Sequence, residues 1–296
     1  MTPTKVRRAL VPAAGFGTRF LPASKVIPKV MFPVIDKPII QAVVETLIES
    51  GITDITFIVK PHVMAIKQHF EPFPALNELL ERSGKFEEIE KLKKIESMAD
   101  FHYVEQRPGR QGTGIAILSA KKELEGEPFF LCWSDEFFKA DPATPRQLIN
   151  AYEKYNGMIF GCVNTTDPRD GGRYGFVVGD KVEETVTKVK LIIEKPGVGK
   201  APSNLASISG MVLIPEIFDA LEKADREIPQ TKELYHIDGI KMLMDQGLSA
   251  YGVEYQNYHY YDTGDKLGYL KALVELGIEN KEFGENFKAY LKTLKI

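Results

Sequence analysis

Cysteine is nearly missing from this chain, with only Cys132 and Cys162 in 296 residues. Two thiols so far apart exclude a disulfide framework and a thiolate zinc site, and they fit a reducing compartment. Long apolar runs are missing too: no stretch reaches the ~18 residues that a membrane span requires. No leader is visible, because Met-Thr-Pro-Thr-Lys-Val-Arg-Arg runs straight into an apolar strand, so the cytoplasm is the expected location and no membrane partner is expected. Positive charge is not in excess either. A formal net charge of −3 argues against a general nucleic-acid binder, while leaving room for a small basic pocket. What remains is an ordinary globular composition, 44% hydrophobic and 27% charged, in a chain long enough for a sizeable core.

The most informative stretch is residues 8–33. A short apolar run, Ala9–Val11, reads as a buried strand and empties into Ala13-Ala14-Gly15-Phe16-Gly17-Thr18-Arg19. Small residues and glycines allow close backbone approach and offer N–H donors to phosphate oxygens. Arg19 and Lys29 supply two cations, with Lys25 a candidate third, and Pro22, Pro28 and Pro33 hold the segment in turn or extended geometry. A dinucleotide fingerprint is excluded because Phe20 stands where its third glycine belongs, and the spacing of a P-loop is absent. The competing reading is a strand followed by an ordinary glycine-rich loop.

Further along, apolar residues at 39, 40, 43, 44, 47 and 48 predict a helix between Pro38 and Gly51. Ile52–Val59 follows as a strand, and strand–helix–strand implies a parallel sheet. Residues 62–98 read as helical, with a solvated charge run over 85–98. Phe101–Val104 is a strand, and Gly109–Gly114 opens a helix over 115–124. Pro128–Trp133 is the most continuous buried strand and ends in Ser134-Asp135-Glu136, acids where open α/β sheets bind ligands. Thr144–Asn156 (helix) and Met158–Val163 (strand) complete the alternation. Residues 174–178, 186–193 and 207–214 are strands with little helix between them. Helices over 215–224 and 237–245 and strands over 250–253 and 258–261 follow. The last of these strands ends in Asp262, and helices over 266–276 and 283–294 close the chain. Leu267, Leu270, Leu273 and Leu276 form an apolar stripe, for which core packing and a subunit interface compete. The expected fold is α/β, a doubly wound, mostly parallel, Rossmann-like sheet in a single domain (1–296). Its parts are a first lobe (about 1–163), a strand-rich lobe (about 164–264) and C-terminal helices (265–296).

Taken in order, several segments resemble the sugar-nucleotide pyrophosphorylases, and among them the bacterial uridylyltransferases of glucose 1-phosphate. The carriers are Ala-Ala-Gly-Phe-Gly-Thr-Arg-Phe-Leu-Pro (13–22), Ile-Pro-Lys (27–29), Asp-Lys-Pro-Ile-Ile-Gln (36–41) and Tyr-Gly-Phe-Val (174–177). Glu-Lys-Pro (194–196), Ser-Asn-Leu-Ala (203–206) and Asp-Thr-Gly-Asp-Lys-Leu-Gly-Tyr-Leu-Lys-Ala (262–272) complete the set. The resemblance implies nucleotidyl transfer from UTP to glucose 1-phosphate, releasing pyrophosphate, with Mg²⁺ as cofactor and a homodimer or homotetramer as the assembly. It implies that Arg19 grips the outer phosphates, Lys29 the α-phosphate and Lys195 the sugar phosphate, and that Asp135 and Asp262 hold the metal. Ala13, Ala14, Gly15, Gly17, Thr18, Gln106 and Gly112 would bind the nucleotide, and Gly175, Glu194 and Asn204 the sugar. None of the five histidines fits a metal-ligand pattern, and none is given a role.

Three departures from the family pattern stand out. Val30 replaces an acid that usually follows Pro-Lys, Glu136 replaces the second member of an Asp-Asp pair, and Glu233-Leu234-Tyr235-His236-Ile237-Asp238 replaces Gly-Gly-Glu-Ile-Gln-Leu-Thr-Asp. A thymidylyltransferase or other sugar-1-phosphate nucleotidyltransferase is the alternative. A weakly active regulatory paralogue is a further one, opposed by the retention of Arg19, Lys29, Asp135, Lys195 and Asp262.

Overall fold

Alternating strand and helix periodicity becomes layers in the computed structural model, which describes residues 4–61 and 63–294. β1 (Arg8–Pro12) leads through three 3-10 turns, Thr18–Phe20, Ala23–Lys25 and Lys29–Met31, into a small hairpin of β2 (Pro33–Val34) and β3 (Lys37–Pro38). The prolines expected to prevent helix in this segment stand among those turns. α1 (Ile39–Glu49) and β4 (Asp54–Val59) complete the first βαβ unit. The helical stretch divides into α2 (Ala65–Phe70), α3 (Pro74–Arg82) and α4 (Phe86–Glu96), of which α4 buries only Ile89. β5 (Asp100–Glu105), α5 (Thr113–Ser119), α6 (Lys121–Leu124), β6 (Phe129–Leu131), β7 (Glu136–Ala140), α7 (Thr144–Tyr155) and β8 (Met158–Asn164) follow. The second half contributes β9 (Gly175–Lys181), β10 (Val186–Glu194), β11 (Leu205–Leu213), α8 (Ile217–Glu227) and α9 (His236–Asp245). The chain then runs through β12 (Ala250–Glu254), β13 (Tyr258–Asp262), α10 (Lys266–Glu279) and α11 (Gly284–Leu291).

Nine strands form one sheet in the order β5-β4-β1-β6-β11-β8-β12-β10-β9. β5, β4, β1 and β6 are mutually parallel, as the βαβ pattern requires. The strand-rich second half does not build a sheet of its own. β11 runs antiparallel between β6 and β8, β12 lies parallel to β8, and β10 and β9 follow antiparallel, β9 pairing back onto β11, so the sheet is mixed rather than mostly parallel. The cause is legible in β11, which is buried from Ala206 to Leu213 and must therefore be covered on both faces. Alternate residues of β1 enter opposite core layers. Ala9 and Val11 join the cluster containing α1, and Leu10 joins the one containing α5, α8 and α9.

Two further features position the site. β7 lies outside the main sheet and pairs antiparallel with β13, in a register that sets Asp262 opposite Glu136. The stripe expected on α10 divides between two faces: Leu273 and Leu276 pack against the core, while Leu267, Leu270 and Val274 are exposed.

β11 carries a register shift between Ser207 and Met211, and Gly210 adopts φ 107° there, a conformation that penalises any side chain. Into this bulge reaches the Tyr255 hydroxyl, which donates to the Ser209 carbonyl at 2.8 Å. A Cβ on Gly161 would meet that hydroxyl at 2.0 Å, and one on Gly210 at 2.2 Å. Gly161→Ala is expected to destabilise the fold by about 3 kcal/mol through overpacking, and Tyr255→Phe by about 1–2 kcal/mol through the lost buried hydrogen bond. Urea denaturation of both variants checks the ordering.

Candidate active site

Two adjoining cavities open around the carboxyl ends of β1 and β6. The first, of 370 Å³, is lined by Ala13, Ala14, Gly15, Lys29, Gln106 and Gly112 among others. The second, of 320 Å³, is lined by Arg19, Gly175, Glu194, Asp262, Gly264 and their neighbours. Thr113, Trp133, Asp135, Lys195 and Tyr235 line both and form the wall between them. Of the residues expected at the nucleotide, Ala13, Ala14, Gly15, Gln106 and Gly112 line the first cavity, but Arg19, expected at the outer phosphates, lines the second with Gly175 and Glu194, while Asp135 and Lys195 stand at the boundary. Gly17, Thr18 and Asn204 line neither cavity. Gly17 turns the loop in the left-handed region and its carbonyl accepts from Ser24 Oγ at 2.7 Å. The exposed Asn204 uses its carbonyl to accept the Thr165 N–H at 2.8 Å.

Asp135 follows β6, and its carbonyl accepts both the N–H and the hydroxyl of Thr263, at 3.0 and 2.7 Å. That clasp fixes Asp262, one residue earlier, beside Asp135. A Cβ placed on Gly264 would lie 2.9 Å from Asp135 Oδ2 and 2.9 Å from Asp262 Oδ1, so the two carboxylates converge on one small space. Each is matched by a cation: Lys29 Nζ pairs with Asp135, and Arg173 Nη2 pairs with Asp262 Oδ2 at 2.5 Å. Arg19 Nη1 donates to the Gly264 carbonyl at 3.2 Å, which places a third cation alongside. Glu136 is half-buried behind the pair, where desolvation and then the charges of Asp135 and Asp262 push its carboxyl up to about 8. It accepts the Ser209 N–H at 3.2 Å. Among the described residues no group of three or more His, Cys, Asp or Glu forms a closed metal cage. Two converging carboxylates beside open space instead suit a hard divalent cation that keeps waters and phosphate oxygens as its other ligands.

Lys195 lies at φ 44°, a strained conformation for a residue with a side chain, and its N–H donates to the Tyr174 carbonyl at 3.2 Å. Its Nζ lies 3.7 Å from Glu194 Oε1. Burial raises the Glu194 carboxyl above its ordinary range, with Lys195 opposing the rise. Gly175 sits opposite Glu194 in the β9–β10 register.

The two cavities are locked together by backbone. Gly114 N–H donates to the Leu234 carbonyl at 2.8 Å, and Leu234 N–H to that of Gln111 at 2.9 Å. A Cβ on Gly112 would lie 2.1 Å from the Leu234 carbonyl oxygen, so only glycine permits the approach, and φ 120° requires it independently. The approach of Leu234 explains Gly112 and Gly114, whereas a Cβ on Gly109 would meet open space. Val30 is buried in the core while lining the first cavity, which makes that stretch of wall apolar. Tyr235, where the family pattern has glutamine, has its phenol pushed up to about 12 by a hydrogen bond to Glu233 and by burial.

Residues not singled out from sequence complete the site: Thr113, Trp133, Arg173, Tyr174 and His236. Tyr174 is the first residue of the Tyr-Gly-Phe-Val motif but was given no role there, Arg173 precedes it, and Trp133 is the chain's only tryptophan at a strand end, so motif membership and adjacency were the available signals. His236 was signalled only as part of the departing segment 233–238, and its place at the cavity follows from the Gly112–Leu234 contact.

A family model described as "Nucleotidyl transferase" matches residues 8–277. The chain is 38% identical over 291 residues to the UTP–glucose-1-phosphate uridylyltransferase of Bacillus subtilis, covering 98% of this chain and 97% of that one. Among solved structures it superposes on a UDP-glucose pyrophosphorylase of Acinetobacter baumannii with a TM-score of 0.87 at 32% identity, covering 98% of this chain and all of the other. A UDP-glucose pyrophosphorylase complexed with UDP-glucose superposes with a TM-score of 0.80 at 28% identity, covering 93% of this chain. With the two cavities, the paired carboxylates and this full-length likeness together, the chain belongs to the nucleotidyl transferase family.

Proposed function

We propose that the protein is a Mg²⁺-dependent UTP–glucose-1-phosphate uridylyltransferase that holds UTP in the first cavity and the sugar phosphate in the second. The observation that carries this is the shared wall, where Asp135 and Lys195 face both cavities at once. A bond formed between two phosphates must be made at such a boundary. The oxygen of the sugar phosphate attacks the α-phosphorus, and pyrophosphate leaves from the opposite side. That nucleophile is already an anion near neutrality, since the second pKa of a phosphate monoester is about 6. No general base is needed, and the protein's work is alignment and charge neutralisation.

Lys29 and Lys195 carry the cations for the α-phosphate and the sugar phosphate, and Arg19 the one for the departing pyrophosphate. Asp135 and Asp262 are the residues to hold Mg²⁺, which when bound draws charge from the phosphoryl oxygens. Lys29 and Arg173, paired with these carboxylates here, are then free to face substrate. Gln106 is placed to read the base, with the backbone of 13–15 and 112 around the nucleoside, and Glu194 accepts sugar hydroxyls beside Gly175. Because Val30 leaves its part of the wall apolar, discrimination among pyrimidines rests on few polar groups, and this favours dTTP as the second nucleotide to test.

The exposed Leu267, Leu270 and Val274 on α10 support a homodimer or homotetramer. The two buried free thiols are in keeping with the cytoplasm. No helix among the described residues is long and apolar enough to cross a membrane.

In a pyrophosphate-release screen over four nucleotides and several sugar 1-phosphates, UTP with glucose 1-phosphate is expected to turn over fastest. Turnover only with dTTP or another sugar overturns the assignment within the family. Asp262→Ala is expected to lower the magnesium-dependent rate on the order of 10²–10³-fold, and an unchanged rate removes the metal role given to Asp262. Light scattering is expected to give an oligomer for the wild type and a smaller species for Leu270→Glu, whereas a monomeric wild type refutes the assembly.

A further inference from the structure

His236 opens α9 and is 4% exposed, yet it lines the second cavity together with Trp133, whose ring meets the imidazole edge-on at 5.4 Å. Both its backbone and its ring are tied to Thr113. The Thr113 hydroxyl accepts the His236 N–H at 3.0 Å, and the same oxygen lies 2.8 Å from Nδ1. The hydroxyl has one proton to give, and Nδ1 lies within its reach as an acceptor. With the hydroxyl donating to it, Nδ1 is the acceptor and the ring proton resides on Nε2. Burial, with Lys195 nearby, holds the imidazole neutral by lowering its pKa to about 4.

Nε2 has no hydrogen-bond partner among the described residues, yet it is not among the sealed, unpartnered polar atoms. It therefore keeps an accessible face, and the surface that His236 borders is the second cavity. The wall there also carries Glu194, an acceptor for hydroxyl groups, and Lys195, a donor for phosphate.

We propose that His236 is a specificity-determining residue of this chain: a neutral imidazole, fixed by Thr113, whose Nε2–H donates to one hydroxyl of the sugar beside Glu194. The inference rests on the uridylyltransferase reading and adds a contact to it. A neutral donor suits a hydroxyl, which accepts without carrying charge, and it leaves the phosphate to Lys195. A site built around such a donor also discriminates against a sugar lacking that hydroxyl, because the N–H is then left unpaired.

The test is a chemical double-mutant cycle with glucose 1-phosphate and its monodeoxy analogues at carbons 2, 3, 4 and 6. His236→Leu is expected to raise KM for glucose 1-phosphate about tenfold, the scale of one lost hydrogen bond, with KM for UTP unchanged. For one deoxy analogue, wild type and His236→Leu are expected to coincide, since the hydroxyl is already missing. His236→Gln, whose amide can present an N–H near the position of Nε2, is expected to recover most of the loss. Equal loss with every analogue, or an unaltered KM for glucose 1-phosphate, overturns the proposal, as does His236→Gln behaving like His236→Leu while melting at the wild-type temperature. Wild-type turnover separates the two readings: its absence with glucose 1-phosphate removes the uridylyltransferase assignment itself, whereas intact turnover with no hydroxyl-specific effect removes only the role of His236.

Discussion

Two carboxylates brought to one small space repel each other, and much of this molecule can be understood as the means of holding Asp135 and Asp262 there. The β7–β13 pair aligns the chain, and Thr263 clasps the Asp135 carbonyl through both of its donors. Lys29 and Arg173 supply the compensating charge. Glu136 next to them is shifted toward protonation, by desolvation first and then by the charges of Asp135 and Asp262. The arrangement is under electrostatic tension by construction, and that tension favours the arrival of a divalent cation.

The sheet provides the second constraint. Parallel strands place their carboxyl ends along one edge, so the loop after β1 and the acids after β6 arrive at the same place without any local signal linking them. β11 enters between β6 and β8, and the bulge that admits the Tyr255 hydroxyl also lies at Ser207–Met211, three members of which line the second cavity. Core packing and pocket shape are therefore set by the same few residues.

Much of this was legible in the residue order. Helical and strand periodicity located the βαβ unit, the buried run before Asp135 and the strand before Asp262, because burial imposes a period on each element. The candidate residues of the two cavities followed from motifs whose spacing survives in the fold. What periodicity could not convey was partnership. β7 has the composition of a strand but no local mark of its partner over a hundred residues away. The glycines of 109–114 read as a ligand cradle, while the tightest constraint on Gly112 is the Leu234 carbonyl. The stripe on α10 divides between core and surface because a helix rotates about 100° per residue, so positions spaced by three drift about 60° at each step and Leu276 faces roughly opposite Leu267.

That contact between Gly112 and Leu234 has a consequence for how such a protein can diverge. The loop that lines the first cavity and the segment that borders the second meet backbone to backbone, with no side chain between them to absorb a change. Insertions, deletions or bulky replacements on one side are transmitted as displacement of the other. New sugar preferences are therefore most accessible through side chains that project from the clasp, such as Tyr235 and His236, and least accessible through its main chain. The departures from the family pattern at those two positions lie where the architecture tolerates novelty best.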